Sequence, residues 1–224
     1  TAFSEKDLIG QMQLTTPGWF TWFTKDDQYS KQKLTADLET LRSYYLNRGY
    51  LEFNIDSTQV SITPDKEKIF ITVTVTEGPR YMVGDVKFSG DTIIPEADIA
   101  KLLLYKKGDV FNRQRVIDSN KAIADRLGND GYSFANVNPV PDIDRTKNIA
   151  NFTVYVDPGR RTYVRRINIA GNTKTRDEVV RREMRQLEGA YYDNSKIQQS
   201  RRRIDRTQYF DEVTVDTQPV AESA

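Results

Sequence analysis

Charged side chains carry most of the chemistry open to this 224-residue sequence, because it contains no histidine and no cysteine. Imidazole bases, thiol nucleophiles and the usual ligands of zinc are removed together. Arg181, Arg185 and Glu188 fall at i, i+4 and i+7, a spacing that on a helix places them near one face. Such a stripe either docks a charged partner or is a solvated surface with weak pairing. Further arginines gather nearby: Arg160, Arg161, Arg165, Arg166, Arg201, Arg202 and Arg203. Residues 159–224 hold 14 Lys/Arg against 10 Asp/Glu and residues 1–158 hold 19 against 22, so the net +1 divides into +4 and −3. An arginine excess can mark nucleic-acid binding, proximity to anionic lipid headgroups, or no partner at all. No Gly-rich phosphate loop or stacking motif accompanies it, so nucleic acid is not expected. Paired-carboxylate catalysis needs a cleft, which small modules in a row do not offer. The sequence therefore reads as non-enzymatic, with no metal, cofactor or small-molecule ligand.

The elements that position these residues recur. Thr72–Asp91 (TVTVTEGPRYMVGDVKFSGD) and Thr153–Asn172 (TVYVDPGRRTYVRRINIAGN) superpose at a spacing of 81, the difference between 153 and 72. In each, an alternating run meets an acidic residue and glycine, then a second alternating run closed by Gly-Asp or Gly-Asn. Recurrence at such a period signals stacked modules, here three of roughly 80 residues, each with a small core that leans on its neighbours. Hydrophobic content is 38% and mean hydropathy −0.66. No apolar run approaches the roughly 20 residues of a membrane span.

In the first unit, Ser4 and Asp7 have the spacing of a helix cap with an acidic third position, predicting a short helix to about Met12. Thr15–Phe23 forms a Pro-Gly loop carrying Trp19, Phe20, Trp22 and Phe23. These rings are either a ligand platform or plugs between helices and sheet. Leu34, Leu38, Leu41 and Tyr45 form one apolar helical stripe, ended by Gly49. Val60–Thr63, a turn at Pro64-Asp65-Lys66, and Lys68–Thr76 with Ile69, Ile71, Val73 and Val75 on one face predict a β-hairpin.

The second unit adds an opening strand over Val83–Ser89, with Val86 and Phe88 inward, before a short helix over Ala97–Leu104 begun by Pro95. A second helix carries Val116, Ile123 and Leu127, with Asn120 at the place of Leu38, and a hairpin has Phe152, Val154 and Val156 inward. The third unit opens at Tyr163 with Ile167 and Ile169 inward. It then shows a capping-box pattern, Thr175–Glu178, a shorter second helix, Gln208 where the other units have glycine, and a strand over Phe210–Thr217. The first unit lacks an opening strand and the last a closing one, so the chain reads as a fragment of a longer protein.

This β-α-α-β-β unit, with Gly-Tyr after its second helix and Gly-Asn after its first strand, resembles the POTRA (polypeptide-transport-associated) module. Leu41–Lys66, Tyr163–Asn172 and Arg181–Gly189 resemble in particular the modules of the machinery that inserts β-barrels into the outer membrane of Gram-negative bacteria. The resemblance covers essentially the whole chain, most loosely Thr1–Phe23. It implies an α+β fold of tandem modules, each a three-stranded mixed sheet covered on one face by two helices: 1–78 like the third module, 79–158 the fourth and 159–224 the fifth. It further implies a periplasmic scaffold whose partners are accessory lipoproteins and unfolded outer-membrane proteins.

The resemblance places the second strand of each module at a sheet edge and the third in the middle. A naked edge is a template for another chain, and strand addition through main-chain hydrogen bonds tolerates many client sequences. This makes Asp56, Ser57, Thr58, Gln59, Val60, Ser61, Ile62 and Thr63 candidates for peptide or partner binding. The alternative is that Val60 and Ile62 face the helices and the edge is idle. It also makes Arg181, Arg185 and Glu188 candidates for docking an accessory lipoprotein. Related secretion or import pores would share the fold with other partners, and a nucleic-acid-binding repeat protein is the alternative of a different class. The joints Glu77-Gly78-Pro79-Arg80 and Asp157-Pro158-Gly159-Arg160 are short, so neighbours should be coupled with limited hinging. Their prolines differ in position, which predicts a difference in angle or stiffness.

Overall fold

The computed structural model describes residues 2–12, 27–62 and 69–220. The predicted aromatic loop and the turn at Pro64-Asp65-Lys66 lie outside the described residues, as does Thr63. The chain divides into two compact units, Thr1–Lys87 with Leu104–Asp118 and Pro141–Thr153, and Phe88–Leu103 with Ser119–Val140 and Val154–Ala224.

The first helix, α1, spans Glu5–Ile9; Ser4 caps it, its Oγ accepting from the Asp7 amide at 3.2 Å and donating to the Asp7 carboxylate at 2.6 Å. Helix α2 spans Asp27–Leu46, followed by the antiparallel pair β1 (Asn54–Ile62) and β2 (Ile69–Thr76). Leu41, Tyr45 and Phe53 form the core, with Phe3, Leu8, Tyr44, Tyr50, Val73 and Val75 against it. Tyr45 stacks on Phe53 with ring centroids 4.1 Å apart. The predicted inward face of β2 therefore holds for Val73 and Val75. Ile71, directly opposite Val60, stays 41% exposed because the cover from α1 and the end of α2 is centred on the other half of the hairpin.

Strand β3 (Met82–Gly90), helices α3 (Glu96–Ala100) and α4 (Arg113–Asn129), and strands β4 (Asn136–Asp144) and β5 (Ile149–Asp157) follow in the predicted β-α-α-β-β order. The sheet order is β3-β5-β4, so the third strand is central and the second lies at an edge. The Met82 amide donates to Asn148 O and the Asp91 amide to Val156 O, which sets β3 parallel to β5; the tight connection at 145–148 makes β4 and β5 an antiparallel hairpin. The sheet is mixed, as expected. Ala150, Phe152, Val154 and Val156 alternate inward along β5, the period-two signature of a half-buried strand. Helix α3 is shorter than predicted, and Pro95 is its cap residue rather than its first helical position.

In the last segment, α5 spans Asp177–Arg181 and α6 Asn194–Asp205, burying Val180, Ile197 and Ile204. The predicted capping box does not form. Asn172 makes a turn with Thr175 and donates from Nδ2 to the Thr175 carbonyl at 2.9 Å, so the helix starts one residue late, with Arg176 at the cap and no side-chain cap bond. The predicted strands at 163–169 and 210–217 are not assigned; among the described residues only a bridge between Tyr163 and Tyr191 joins this region. Gln208 takes a positive φ of 56°, on the same side of the backbone map as Gly49 (φ 100°) and Gly131 (φ 105°) at the ends of α2 and α4. The helix end is reached without glycine, at a steric cost.

Candidate functional site

The β1 edge is open over Asn54–Ile62: β2 is the only strand paired with it among the described residues. Asp56 sits at a register irregularity between Ile55 and Ser57. Its carboxylate is committed within the hairpin, accepting from Thr76 Oγ1 at 2.6 Å and Asn54 Nδ2 at 2.8 Å, and the Thr76 bond above all holds its pKa below the ordinary aspartate value. Such a bulge bends an edge strand and interrupts pairing, leaving Ser57–Ile62 as the regular part. Ser57, Thr58, Gln59 and Ser61 are exposed and Val60 is 53% exposed. Val60 pairs with Ile71, which shares the face of Val73 and Val75, so it lies on the helix-bearing face of the hairpin but beyond the cover given by α1 and the end of α2.

The charged trio is split. Helix α5 ends at Arg181, so Arg185 and Glu188 lie beyond it and the one-face premise fails. Arg181 and Glu188 nevertheless meet, with Nη1 3.3 Å from Oε1. Both also grip one residue: Glu188 Oε1 accepts from the Ile167 amide at 2.8 Å and Arg181 Nη2 donates to the Ile167 carbonyl at 3.0 Å. They supply the backbone bonds that a neighbouring strand would give. The Ile167 bond, helped by Arg181, holds the Glu188 carboxyl below its ordinary pKa. Arg185 is elsewhere, its amide bound to Ser200 Oγ at 2.8 Å.

The joints repeat one bonding scheme, and its main actors were missed in the sequence. After α2, Asn47 Oδ1 accepts from the Gln114 amide at 2.9 Å, the second amide of α4, while Asn112 Oδ1 accepts from the third, Arg115, at 3.0 Å. At the end of α4, Asn129 Oδ1 accepts from the Ser195 amide at 2.9 Å, the second of α6, while Asp193 Oδ1 takes the third, Lys196, at 3.1 Å. Free amides at a helix start need acceptors; here one comes from the preceding module-sized repeat. Around each, the Tyr81 amide donates to Gly49 O at 2.8 Å and the Thr162 amide to Gly131 O at 2.9 Å. Arg80 Nε donates to Arg48 O at 3.2 Å and Arg161 Nε to Asp130 O at 2.8 Å. The pairs 47/129, 81/162 and 80/161 are themselves 81 or 82 apart, so a repeat search aimed at polar positions could have found them.

The predicted joint residues differ in setting. Glu77 accepts from the Ala2 amide and from Tyr45 Oη at 2.8 Å, and burial with this bond raises the Tyr45 pKa. Gly78 has φ 70° and packs on Glu52, whereas Gly159, at φ 67°, faces open space. Pro79 and Pro158 each lie beside that glycine, on opposite sides. Asp157 bonds only locally, to the Gly159 amide at 3.0 Å. Glu52 adds a tie that has no counterpart at the second joint among the described residues, accepting from Arg145 Nε at 2.7 Å and Tyr81 Oη at 3.0 Å; these bonds lower its pKa, Arg145 most. Among the described residues no acidic cluster suits a metal and no helix is long and apolar enough to cross a membrane.

Short α+β repeats with one open strand edge and a recurring polar joint define a modular scaffold. The POTRA family model, described as a surface antigen variable number repeat, matches residues 1–78, 81–159 and 162–223. The chain belongs to the POTRA family. It is 42% identical over 98% of its length to the outer membrane protein assembly factor BamA of Neisseria meningitidis serogroup B, spanning 28% of that protein, and 29% identical to BamA of Buchnera aphidicola, spanning 35%. The crystal structure of Haemophilus influenzae BamA POTRA3-5 superposes with TM-score 0.85 at 33% identity, covering 100% of this chain and 87% of that one. The chain thus spans about a third or less of the curated relatives it matches.

Proposed function

We propose that this chain is a periplasmic scaffold region of an outer membrane protein assembly factor, built of three modules over 1–78, 79–158 and 159–224. Its relatives are named for that assembly role. The observation that carries the reading is the β1 edge on a POTRA fold, exposed over Ser57–Ser61 and, among the described residues, paired only with β2. Main-chain N–H and C=O groups there can pair with an extended client irrespective of its side chains, which suits a factor serving many unfolded β-barrel proteins. Amide NMR titration with peptides from a β-barrel protein tests this: shifts should concentrate on Ser57–Ile62. Movement elsewhere with that strand silent would overturn it.

Accessory lipoproteins dock, on this reading, at the Arg181–Glu188 surface, and the +4 balance of residues 159–224 suits nearby anionic headgroups. The lipoprotein contact is tested with two variants, because Glu188 also holds Ile167. Glu188→Lys should weaken lipoprotein binding, and Glu188→Gln, which retains an acceptor for the Ile167 amide, should weaken it too. Unchanged affinity in both removes the contact.

A further inference from the structure

Among the described residues two second-strand edges are assigned, β1 and β4, and they differ in proline content. Strand β1 has no proline over its nine residues. Strand β4, NVNPVPDID, has two, Pro139 and Pro141, in the middle of an edge position beside β5. A proline has no N–H, so one that faced β5 would delete a ladder bond. Strand β4 runs unbroken from Asn136 to Asp144 through both prolines. Their nitrogens must then point away from β5, along the open side, together with the amides of Val137 and Ile143, which share their parity. Two of the four outward positions therefore cannot donate, and they are adjacent ones.

We propose that Pro139 and Pro141 close the β4 edge to incoming strands, so that of these two edges only β1 accepts a client. This rests on the strand-addition reading above and assigns a specificity role to two residues that face no partner. An incoming strand at β4 would lose two consecutive donors and meet two pyrrolidine rings where its own carbonyls must come close. A proline-bearing edge is a recognised way to keep strands from pairing. Without such a block, the exposed Asn138, Val140 and Asp142 give β4 a surface as accessible as that of β1.

The test compares the full chain with the Pro139→Thr, Pro141→Thr double variant, using a synthetic ten-residue peptide of alternating valine and threonine with a lysine at each end. Backbone amide shifts and hydrogen exchange are followed on both edges. In the unaltered protein β1 should respond and β4 stay silent. In the variant, β4 should respond as well, with its new amides at 139 and 141 gaining at least tenfold protection on peptide addition. Equal responses on both edges of the unaltered protein would overturn the assignment. So would a folded variant whose β1 responds while β4 stays silent. Silence at β1 in both proteins would instead overturn strand addition itself. If the double variant fails to fold, Pro141→Thr alone restores two consecutive outward donors, at 141 and 143, with Val137 still separate, and the same readings apply to the 141–143 end.

Discussion

At the scale of single residues, Arg181 and Glu188 hold both peptide groups of Ile167, the carbonyl through Arg181 Nη2 and the amide through Glu188 Oε1. Arg181 and Glu188 were legible as a pair; that they clasp the peptide groups of Ile167 was not, because the bond partners are main-chain atoms with no sequence signature. Arg185 was misplaced for a related reason: a three-and-four spacing assumes that the helix continues, and α5 stops at Arg181. The clasp has a pH consequence. A carboxylate held below its ordinary pKa stabilises the fold above the unfolded value, about 4.3 for glutamate, and loses that contribution as pH falls through the lower folded value. The Ile167 amide should accordingly titrate with a midpoint below that of an ordinary glutamate, and Arg181→Ala should move that midpoint upward. An Ile167 amide shift that follows an ordinary glutamate curve in both proteins would show that the clasp is absent in solution.

At the scale of elements, apolar periodicity was reliable where a partner surface exists. The stripe of α4, the second half of the α2 stripe and the alternation of β5 map onto buried side chains such as Leu41, Tyr45, Ile123, Leu127, Phe152 and Val154, whereas Leu34 and Leu38 are only half-buried. It failed for the strands expected at 163–169 and 210–217, because a strand is completed by its neighbour and not by its own pattern. Polar capping was half legible. Ser4 caps α1 as its spacing predicted, whereas Thr175 loses its carbonyl to Asn172. The Asn47 and Asn129 caps escaped notice because each serves a helix some 65 residues further on. Removing such a cap costs about 1 kcal/mol, so Asn47→Ala and Asn129→Ala should each lower stability by about that amount. Each should also speed hydrogen exchange locally, at Gln114 in the first variant and at Ser195 in the second. Exchange that rises uniformly, or not at all, would show that these amides do not depend on the asparagines.

At the scale of the whole molecule, each of the two compact units contains one complete joint: Asn47, Tyr81, Gln114 and Arg145 fall in one, and Asn129, Thr162 and Ser195 in the other. Compactness is thus distributed across the joints and not confined to sequence modules, which is what bonded neighbours with small individual cores require. The joints share their asparagine, backbone and arginine bonds but not their ionisable ties. The first depends on Glu52, held by Arg145 and Tyr81. The second has in that region a hydroxyl pair, Ser133 with Thr162 at 2.6 Å, and the Arg161 guanidinium over the Tyr191 ring at 4.1 Å. Because the Glu52 pKa is lowered in the fold, its contribution is present above the unfolded glutamate value and lost as pH falls through the folded one. Lowering the pH below the ordinary glutamate range should therefore loosen the first joint before the second, seen as faster exchange of the Tyr81 amide while that of Thr162 is unchanged. Glu52→Gln, which removes the charge, should give the same separation at neutral pH, where global acid unfolding plays no part. Equal loss of protection at Tyr81 and Thr162 in both experiments would show that the two joints are mechanically alike and that the Glu52 tie adds nothing to the first.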